Sequence, residues 1–195
     1  MEFNAADIFE GVVKRIPDRE AVVLGDTRLT YRQLDARANK AAHALQKLNI
    51  SKGSHIGIYA INCIEWLEIM LGAYKLCAIP ININYRYVEE ELKYLIDNAD
   101  MEAVFFHKQF SEKLNNISGE LPLLKTFVSI EDGSDIKSEL ECTDFEALIK
   151  DESGEQMVWK SIDPEKPRSK VERLWFDDKG QLAKVSVVES KAPLE

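Results

Sequence analysis

The sequence predicts an α/β fold: a three-layer αβα domain with a mainly parallel sheet, followed by a C-terminal β-hairpin. Over residues 1–150, short apolar runs alternate with amphipathic segments of helical period, which is typical of strand–helix–strand crossovers. A separate strand–turn–strand pattern over residues 171–195 predicts the hairpin. The chain has 195 residues, 45% of them hydrophobic, which is enough for one ordinary domain with a short appendage.

The first thirty residues predict a short helix and a two-stranded ribbon. Apolar residues recur at helical spacing over Ala6–Ile16. Two strand-like runs, 21–24 and 28–31, then flank Gly25-Asp26, a dipeptide typical of a two-residue hairpin turn. We therefore expect both elements to precede the main sheet.

The next segment has the strongest helix signal in the chain. Thr30 and Gln33 have the spacing of a capping box, in which each side chain satisfies a backbone N–H at the helix start. Apolar residues then recur at steps of three and four, which places them on one buried stripe. They are Leu34, Ala38, Ala41, Leu45 and Leu48. Gly53 is the predicted stop.

A central strand and a buried helix follow. His55–Ala60 is predicted to be a short buried strand, and Ile64–Cys77 a helix that is apolar nearly all round and therefore deeply packed. Gly72 within this helix lowers helix propensity and indicates close approach by a neighbour. Ala78–Asn82 is the next strand, and its proline favours the start or the edge of a sheet.

The alternation of helices and strands continues to residue 150. Glu89–Asn98 is predicted to be a helix, because three glutamates in its first turn complement the helix dipole. Thr143 and Glu146 have the spacing of a second capping box. Three further elements are a strand at Ala103–Phe106, a helix at Gln109–Ile117 and a strand at Lys125–Ile130.

The composition changes after residue 150. Residues 1–150 are predicted to be the α/β domain, 151–170 a polar, proline-punctuated linker, and 171–195 the hairpin and tail. Gly180 is placed for the left-handed residue of the hairpin turn. An isolated hairpin is marginally stable in water, so we expect it to dock on the domain or on a partner.

Charge and composition exclude several classes of protein. The net charge is −9 and no run of Lys or Arg provides a basic face, so we expect no nucleic-acid partner. The N-terminus lacks the pattern of a signal peptide. The longest apolar run, Ile69–Ile83, is too short and too interrupted to cross a bilayer, so we expect no transmembrane segment.

The three cysteines, Cys63, Cys77 and Cys142, lack the spacing of metal ligands. Two of them lie in apolar surroundings, which favours buried, reduced thiols. Reduced thiols suit a reducing compartment, so we expect a cytoplasmic protein with no metal site.

Three blocks occur in order along the chain: Leu29-Thr30-Tyr31-Arg32-Gln33-Leu34, then Gly72, Lys75, Ala78 and Pro80, then Asn84-Tyr85-Arg86-Tyr87-Val88-Glu89. Together they resemble the opening of the adenylate-forming, or AMP-binding, enzymes, and the fatty acyl-CoA synthetases most closely. Each block alone is weak, but their order is strong support for homology. The resemblance implies a carboxylate–CoA ligase, which activates a carboxylate with ATP and passes the acyl group to coenzyme A.

The resemblance also implies which functional residues to expect. The family uses ATP, Mg²⁺ and CoA, and a Ser/Thr/Gly-rich phosphate loop should begin soon after Arg168-Ser169, where the sequence instead continues Lys170-Val171-Glu172. We therefore expect no catalytic residue and no cofactor for this chain alone. In the family, the loop after the second-block strand lies near the CoA tunnel, so Asn84, Tyr85 and Arg86 are candidates for its wall. The alternative is a solvated loop with Arg86 as a surface charge.

Three functions follow from this sequence. The first is a truncated, catalytically silent family member. The second is an interaction module that pairs through an exposed apolar face, with itself or with a separate chain that has the nucleotide site. The third is a residual binder of CoA or an acyl chain. His107 ends a predicted strand, where parallel sheets bind ligands, and is either a binding residue or an ordinary strand-end polar residue.

Overall fold

A computed structural model describes residues 4–157, 168–176 and 182–190. The helices are α1 (Ala5–Arg15), α2 (Tyr31–Lys47), α3 (Ile64–Lys75), α4 (Glu89–Asn98), α5 (Ser111–Ser118) and α6 (Phe145–Ile149). The strands are β1 (Glu20–Leu24), β2 (Thr27–Thr30), β3 (His55–Tyr59), β4 (Ile79–Asn82), β5 (Met101–His107), β6 (Thr126–Ile130), β7 (Thr143–Asp144), β8 (Arg168–Phe176) and β9 (Leu182–Ser190).

Strands β3 to β7 form a five-stranded parallel sheet in the spatial order β4-β3-β5-β6-β7. Helices α2, α3 and α6 cover one face, where Ile58 and Phe105 are buried. Helices α4 and α5 cover the other face, over Tyr59 and Phe106. The predicted three-layer α/β fold with a parallel sheet is therefore confirmed. The predicted ribbon, β1 with β2, packs separately against α2.

The start of α2 matches the sequence prediction, and its end does not. The Gln33 N–H donates to Thr30 Oγ1 (3.3 Å), and the Thr30 N–H donates to Gln33 Oε1 (2.8 Å), which completes the capping box. The helix ends at Lys47, and Asn49, at φ 64°, is the left-handed residue after it. Gly53, the predicted stop, also has positive φ but lies in the turn before β3. Asparagine tolerates the left-handed region well enough to end the helix first.

The second predicted capping box is wrong by one residue. The N-cap of α6 is Asp144, whose Oδ1 accepts a hydrogen bond from the Ala147 N–H at 3.0 Å. Thr143 pairs with Val128 in the sheet, so its backbone belongs to β7. Glu146 points instead to Arg37 of α2.

Helices α2 and α3 approach each other closely at Gly72, as the sequence predicts. A Cβ added at Gly72 would lie 2.9 Å from Ala41 Cβ, 3.0 Å from the Ala42 nitrogen and 3.1 Å from the Ala38 oxygen. Two of these atoms belong to the α2 backbone, which cannot rotate away. The absence of a side chain at position 72 therefore sets the distance between the two helices.

One end of this contact has a buried ion pair that the sequence analysis missed. The Glu68 carboxylate of α3 is fully buried, and Arg37 of α2 donates to both of its oxygens. Arg37 also donates to Glu146 of α6. Burial raises the pKa of Glu68, and the hydrogen bonds from Arg37 oppose that shift. A single guanidinium thus joins three helices.

The other end of the contact has a second buried cation. The Lys75 side chain is 1% exposed, and its Nζ lies 2.6 Å from Glu10 Oε1 of α1 and 2.9 Å from Asp35 Oδ1 of α2. Helix α3 is deeply packed, as predicted, and its buried residues include the charged Glu68 and Lys75 beside the apolar ones. The helix also ends at Lys75 rather than Cys77, which has a left-handed φ of 57°.

Residues 151–157 follow α6 and pack on the domain. Asn39 Nδ2 donates to the Gly154 oxygen (3.2 Å), and the Met157 N–H donates to Asn39 Oδ1 (3.3 Å). Gln156 Nε2 donates to Glu10 Oε2 at 2.5 Å, which ties this segment to α1. The boundaries at residues 150 and 170 stay predictions, and residues 158–167 lie outside the described part.

The C-terminal hairpin forms from β8 and β9, which pair antiparallel. Strand β8 lies near α1, so the hairpin lies against the domain as expected. The predicted linker was to end at residue 170, whereas β8 begins at Arg168. The predicted turn glycine, Gly180, lies outside the described residues.

Several large apolar side chains are exposed in the described part of the chain. Within the described ranges, no helix combines the length and apolar character needed to cross a membrane. Three exposed apolar residues, Ile61, Tyr85 and Val88, follow strands β3 and β4 at one edge of the sheet. The others are Ile8, Val23, Leu24, Ile79, Tyr94, Leu123 and Ile136.

Substituting Gly72→Ala is expected to lower the free energy of unfolding by roughly 1–3 kcal/mol, because the new Cβ overpacks against the α2 backbone. Alanine's better helix propensity, worth about 1 kcal/mol, offsets only part of this loss. Urea denaturation measures the change. Gly119→Ala is the matched control, since its φ is −65° and nothing lies within 4 Å of the added atom. Equal midpoints for the two variants would contradict the close contact.

Candidate functional site

The sheet order places a topological switch point between the carboxyl ends of β3 and β5. The chain leaves β3 through α3 to reach β4 on one side, then returns through α4 to β5 on the other side. The helices that follow β3 and β5 therefore pack on opposite faces of the sheet, and open α/β sheets bind ligands at such a switch point.

Asn84, Tyr85 and Arg86 form one exposed turn just beyond β4. Asn84 Oδ1 accepts from the Arg86 N–H (3.0 Å), and the Asn84 carbonyl accepts from the Tyr87 N–H (3.0 Å). The Arg86 Cζ lies 5.4 Å from the centre of the Tyr85 ring, which is a cation–π distance. The three predicted wall residues are thus adjacent and face solvent at the carboxyl edge of the sheet. Their role in CoA binding stays a prediction.

The buried Tyr59 and the half-buried Lys113 hold this turn from below. Lys113 Nζ of α5 donates to the Tyr87 carbonyl at 2.8 Å, and the Tyr59 hydroxyl at the end of β3 lies 3.4 Å from the same oxygen. Burial raises the pKa of Tyr59 to about 12, so its phenol is neutral near pH 7. These contacts fix the position of the exposed turn just before the start of α4. Sequence reasoning missed them, since neither residue is near the turn along the chain.

His107, at the end of β5, contacts the loop that follows β3. The Ile61 N–H, in the loop after β3, donates to His107 Nδ1 at 3.2 Å. Because Nδ1 accepts, Nε2 of the neutral ring has the proton. That Nε2 is buried and has no hydrogen-bond partner among the described residues, and the whole residue is 5% exposed. Burial lowers the pKa of His107, and the charges of Asp132 and Glu65 oppose this.

The loop that follows β6 is acidic. Asp132 Oδ2 accepts from the Gln109 backbone N–H (2.9 Å) and from Gln109 Nε2 (3.1 Å). Glu131 forms an ion pair with Lys108. These contacts join the loops after β5 and β6. Hydrogen bonds from Ser134 and Gln109 lower the pKa of Asp132 against an opposing effect of burial, so it stays ionised.

The cysteines have no arrangement for nucleophilic chemistry. No disulfide joins Cys63, Cys77 and Cys142. Cys63 lies just before α3, and burial raises its thiol pKa to about 12, so little thiolate forms at pH 7. Among residues 4–157 and the two described hairpin strands, no cluster of three His, Cys, Asp or Glu side chains is placed to hold a metal ion.

A shallow depression of about 440 Å³ lies between α2 and α6. Arg37, Lys40, Glu146 and Lys150 supply its charges. Arg37 is committed to Glu68 and Glu146, and Lys40 Nζ donates to the Lys150 carbonyl at 3.3 Å. We therefore place the candidate site at the carboxyl edge of the sheet.

The fold and this edge define a parallel α/β domain with a topological switch point at the carboxyl ends of β3 and β5. The AMP-binding enzyme family matches residues 9–172. The chain belongs to that family, which confirms the resemblance drawn from the sequence.

The relatives are acyl-CoA ligases. The chain is 43% identical over 136 residues to a 3-oxocholest-4-en-26-oate–CoA ligase of Rhodococcus rhodochrous, covering 70% of this chain and 24% of that one. It is 45% identical over 132 residues to a medium/long-chain-fatty-acid–CoA/3-oxocholest-4-en-26-oate–CoA ligase of Mycobacterium marinum, covering 68% and 24%. The chain thus spans about a quarter of the length of these relatives.

A solved structure agrees with the fold. It is an anthranilate CoA ligase in complex with anthranoyl-AMP, with a TM-score of 0.75 and 25% identity. The match covers 85% of this chain and 31% of that one. The domain described above therefore corresponds to one part of a larger ligase.

The pH dependence of stability tests the environment of His107. Its folded-state pKa lies below the ordinary 6.5, so on acidification the unfolded chain binds a proton before the folded chain does. The free energy of unfolding should therefore fall as the pH drops below about 6.5, by at most about 1.4 kcal/mol per pH unit from this group. His107→Gln retains an acceptor for Ile61 and should have a shallower slope in urea denaturation at pH 5–7.

Glu68 is present in both proteins, so its own titration cancels in this comparison. Identical slopes for the wild type and His107→Gln would show that His107 titrates as it does in the unfolded chain.

Proposed function

We propose that this chain supplies the N-terminal α/β unit of a carboxylate–CoA ligase, and that the turn Asn84–Arg86 forms part of the wall along which CoA approaches. The observation that supports this most directly is the geometry of the turn. An exposed aromatic ring and a guanidinium lie together at the carboxyl edge of the sheet. An arginine can bind phosphate oxygens, and a tyrosine ring can stack on a base.

The reaction class is supported by the relatives, which are named as ligases of CoA with medium- or long-chain fatty acids or with 3-oxocholest-4-en-26-oate. In the proposed reaction a carboxylate is first activated by ATP and the acyl group then passes to the CoA thiol. The proposed reaction takes place in the cytoplasm, with Mg²⁺ and ATP bound outside the residues described above. The acyl chain length is left open.

We further propose that this chain alone does not adenylate a carboxylate. The residues after Arg168, where the family resemblance expects a phosphate loop, instead form strand β8. The nucleotide half must then come from another polypeptide segment, either linked to this chain or supplied by a partner. Pairing with such a partner through exposed apolar residues is the second candidate function, and Ile61 and Val88 at the sheet edge favour it.

Exchange between ATP and labelled pyrophosphate tests the absence of adenylation. The purified chain, with a panel of fatty acids and Mg²⁺, should give no exchange above buffer, because no phosphate-binding loop is assigned to it. Carboxylate-dependent exchange that survives repurification would contradict this proposal. Loss of that exchange in Arg86→Ala would then place a phosphate site at the β4 turn.

Titration with CoA tests the proposed wall, using the backbone amide signals of the turn in NMR spectra. CoA should shift these signals, and Arg86→Ala should weaken binding about tenfold, which corresponds to about 1.4 kcal/mol. Tyr85→Ala should weaken CoA binding by a smaller factor, because it removes the exposed cation–π pair between Tyr85 and Arg86, and such a pair is worth about 0.5–1 kcal/mol.

Matched control variants are available elsewhere on the surface. Arg28→Ala removes an exposed arginine that pairs with Glu20 on the ribbon, and Tyr94→Ala removes a 69% exposed tyrosine on α4. Neither should change CoA affinity. Equal losses in the control and wall variants would indicate non-specific attraction rather than a wall.

A further inference from the structure

One face of α5 contacts the residues where the turn after β4 ends and α4 begins. Lys113 Nζ donates to the Tyr87 carbonyl at 2.8 Å, and Asn116 Nδ2 donates to Glu89 Oε1 at 2.7 Å. Lys113 and Asn116 are three positions apart, so they lie on the same face of the helix. The end of the turn is therefore held by an element that comes 26 positions later in the chain.

The two side chains of the proposed wall belong to the central residues of a β-turn. The Tyr87 N–H donates to the Asn84 carbonyl at 3.0 Å and so closes the turn around Tyr85 and Arg86. Where these two side chains lie therefore depends on how the two ends of the turn are held.

Different parts of the fold hold the two ends. At the start, the Ile83 N–H donates to the Ile58 carbonyl of β3 at 3.0 Å, so the sheet fixes the chain just before the turn. At the close, the Tyr87 carbonyl accepts from Lys113 and, at the longer distance of 3.4 Å, from the Tyr59 hydroxyl. Lys113 thus provides the shorter of the two bonds at the second end.

The ammonium of Lys113 is suited to holding a peptide group. A hydrogen bond from a charged donor is shorter and stronger than one between neutral groups. Lys93 and Lys108 form ion pairs with the carboxylates of Glu120 and Glu131, whereas Lys113 is half-buried and directed at a backbone oxygen. Its charge therefore acts on the backbone of the turn.

We propose that Lys113 is a positioning residue of the CoA wall, which holds the Tyr87 carbonyl and so keeps Tyr85 and Arg86 ordered for contact with the ligand. The ligand in this role rests on the proposed function, whereas the effect of Lys113 on the turn does not depend on it. Helix α5 then contributes to CoA affinity without touching CoA, because an ordered turn loses less conformational entropy on binding.

NMR spectra of the labelled chain without ligand test the effect on the turn. In the wild type, Lys113 Nζ should be coupled to the Tyr87 carbonyl carbon through their hydrogen bond, and this measurement needs no variant. Lys113→Met removes the ammonium and keeps a flexible side chain. The Tyr87 carbonyl carbon signal should then move upfield, because a hydrogen bond to that carbonyl is lost. Order parameters of the Tyr85 and Arg86 amides should fall from about 0.85, typical of rigid backbone, toward about 0.6.

Two further variants separate this bond from other effects of substitution. Lys113→Arg keeps a charged donor and should restore most of the order of the turn. Lys93→Met is the matched control, because it removes an ammonium that pairs with Glu120, and it should leave the turn unchanged. Absence of the coupling to Tyr87 in the wild type, or unchanged turn signals in a folded Lys113→Met, would overturn the proposal.

Titration with CoA tests whether Lys113 acts through Arg86. Lys113→Met should weaken CoA binding about threefold, less than the tenfold loss expected for Arg86→Ala. In the double variant the loss should stay close to that of Arg86→Ala alone, because holding the turn gains little once the guanidinium is absent. Losses that multiply to about thirtyfold would show that Lys113 acts on CoA independently, and would overturn the positioning role.

The outcomes distinguish failure of the positioning role from failure of the proposed wall. If Arg86→Ala weakens CoA binding and Lys113→Met does not, the wall stands and the positioning role is wrong. If the wild type does not bind CoA, or if Arg86→Ala does not weaken binding, the wall is wrong and the role of Lys113 in CoA binding is overturned with it.

Discussion

The distance between α2 and α3 constrains the rest of this domain. Gly72 allows the α2 backbone to come within contact of α3, and a charged pair lies on each side of it. Arg37 binds Glu68 toward the start of α3, and Lys75 binds Asp35 toward its end. Residues 68, 72 and 75 of α3 recur at steps of four and three, so they form one face of the helix. Each buried charge lies opposite its counterion only when the two helices have this one alignment.

This alignment reaches the candidate site through the sheet. Helix α3 starts shortly after β3, so fixing α3 fixes the loop that contains Ile61, and this loop in turn orients His107. On the opposite face of the sheet Gly57 has the corresponding effect. A Cβ there would lie 2.7 Å from Ile83 Cδ1 and 2.8 Å from Met101 Sδ, so the missing side chain lets the residues after β4 pack over β3. The turn at Asn84–Arg86 begins directly beyond that contact.

The sequence allowed the periodic part of this structure to be predicted, and the non-local part stayed hidden. Leu34, Ala38 and Leu45 recur at helical spacing and are buried as expected, because periodicity is a local property of the chain. Glu68 and Lys75 look like solvent-facing residues in the sequence. The partner of Glu68 is 31 residues away along the chain, and Glu10, a partner of Lys75, is 65 residues away. Only the fold brings these residues together.

The candidate site shows the same division. The family resemblance led to Asn84, Tyr85 and Arg86, since they are contiguous and belong to a recognisable block. It did not lead to the contact between Ile61 and His107, which are 46 positions apart and join only through the parallel pairing of β3 with β5. Where elements end was also difficult to predict. Asn49 and Gly53 both adopt positive φ, and composition alone does not decide which one ends α2.

The charge distribution at the sheet edge gives a bound ligand one direction. The β4 side has an exposed guanidinium at Arg86, and the β6 side has the carboxylates Glu131 and Asp132. An elongated ligand with an anionic end and a neutral chain is attracted at the first side and repelled at the second. Under the proposed function, the phosphates of CoA would therefore lie toward β4, because the reverse orientation would place them beside the ionised carboxylates after β6.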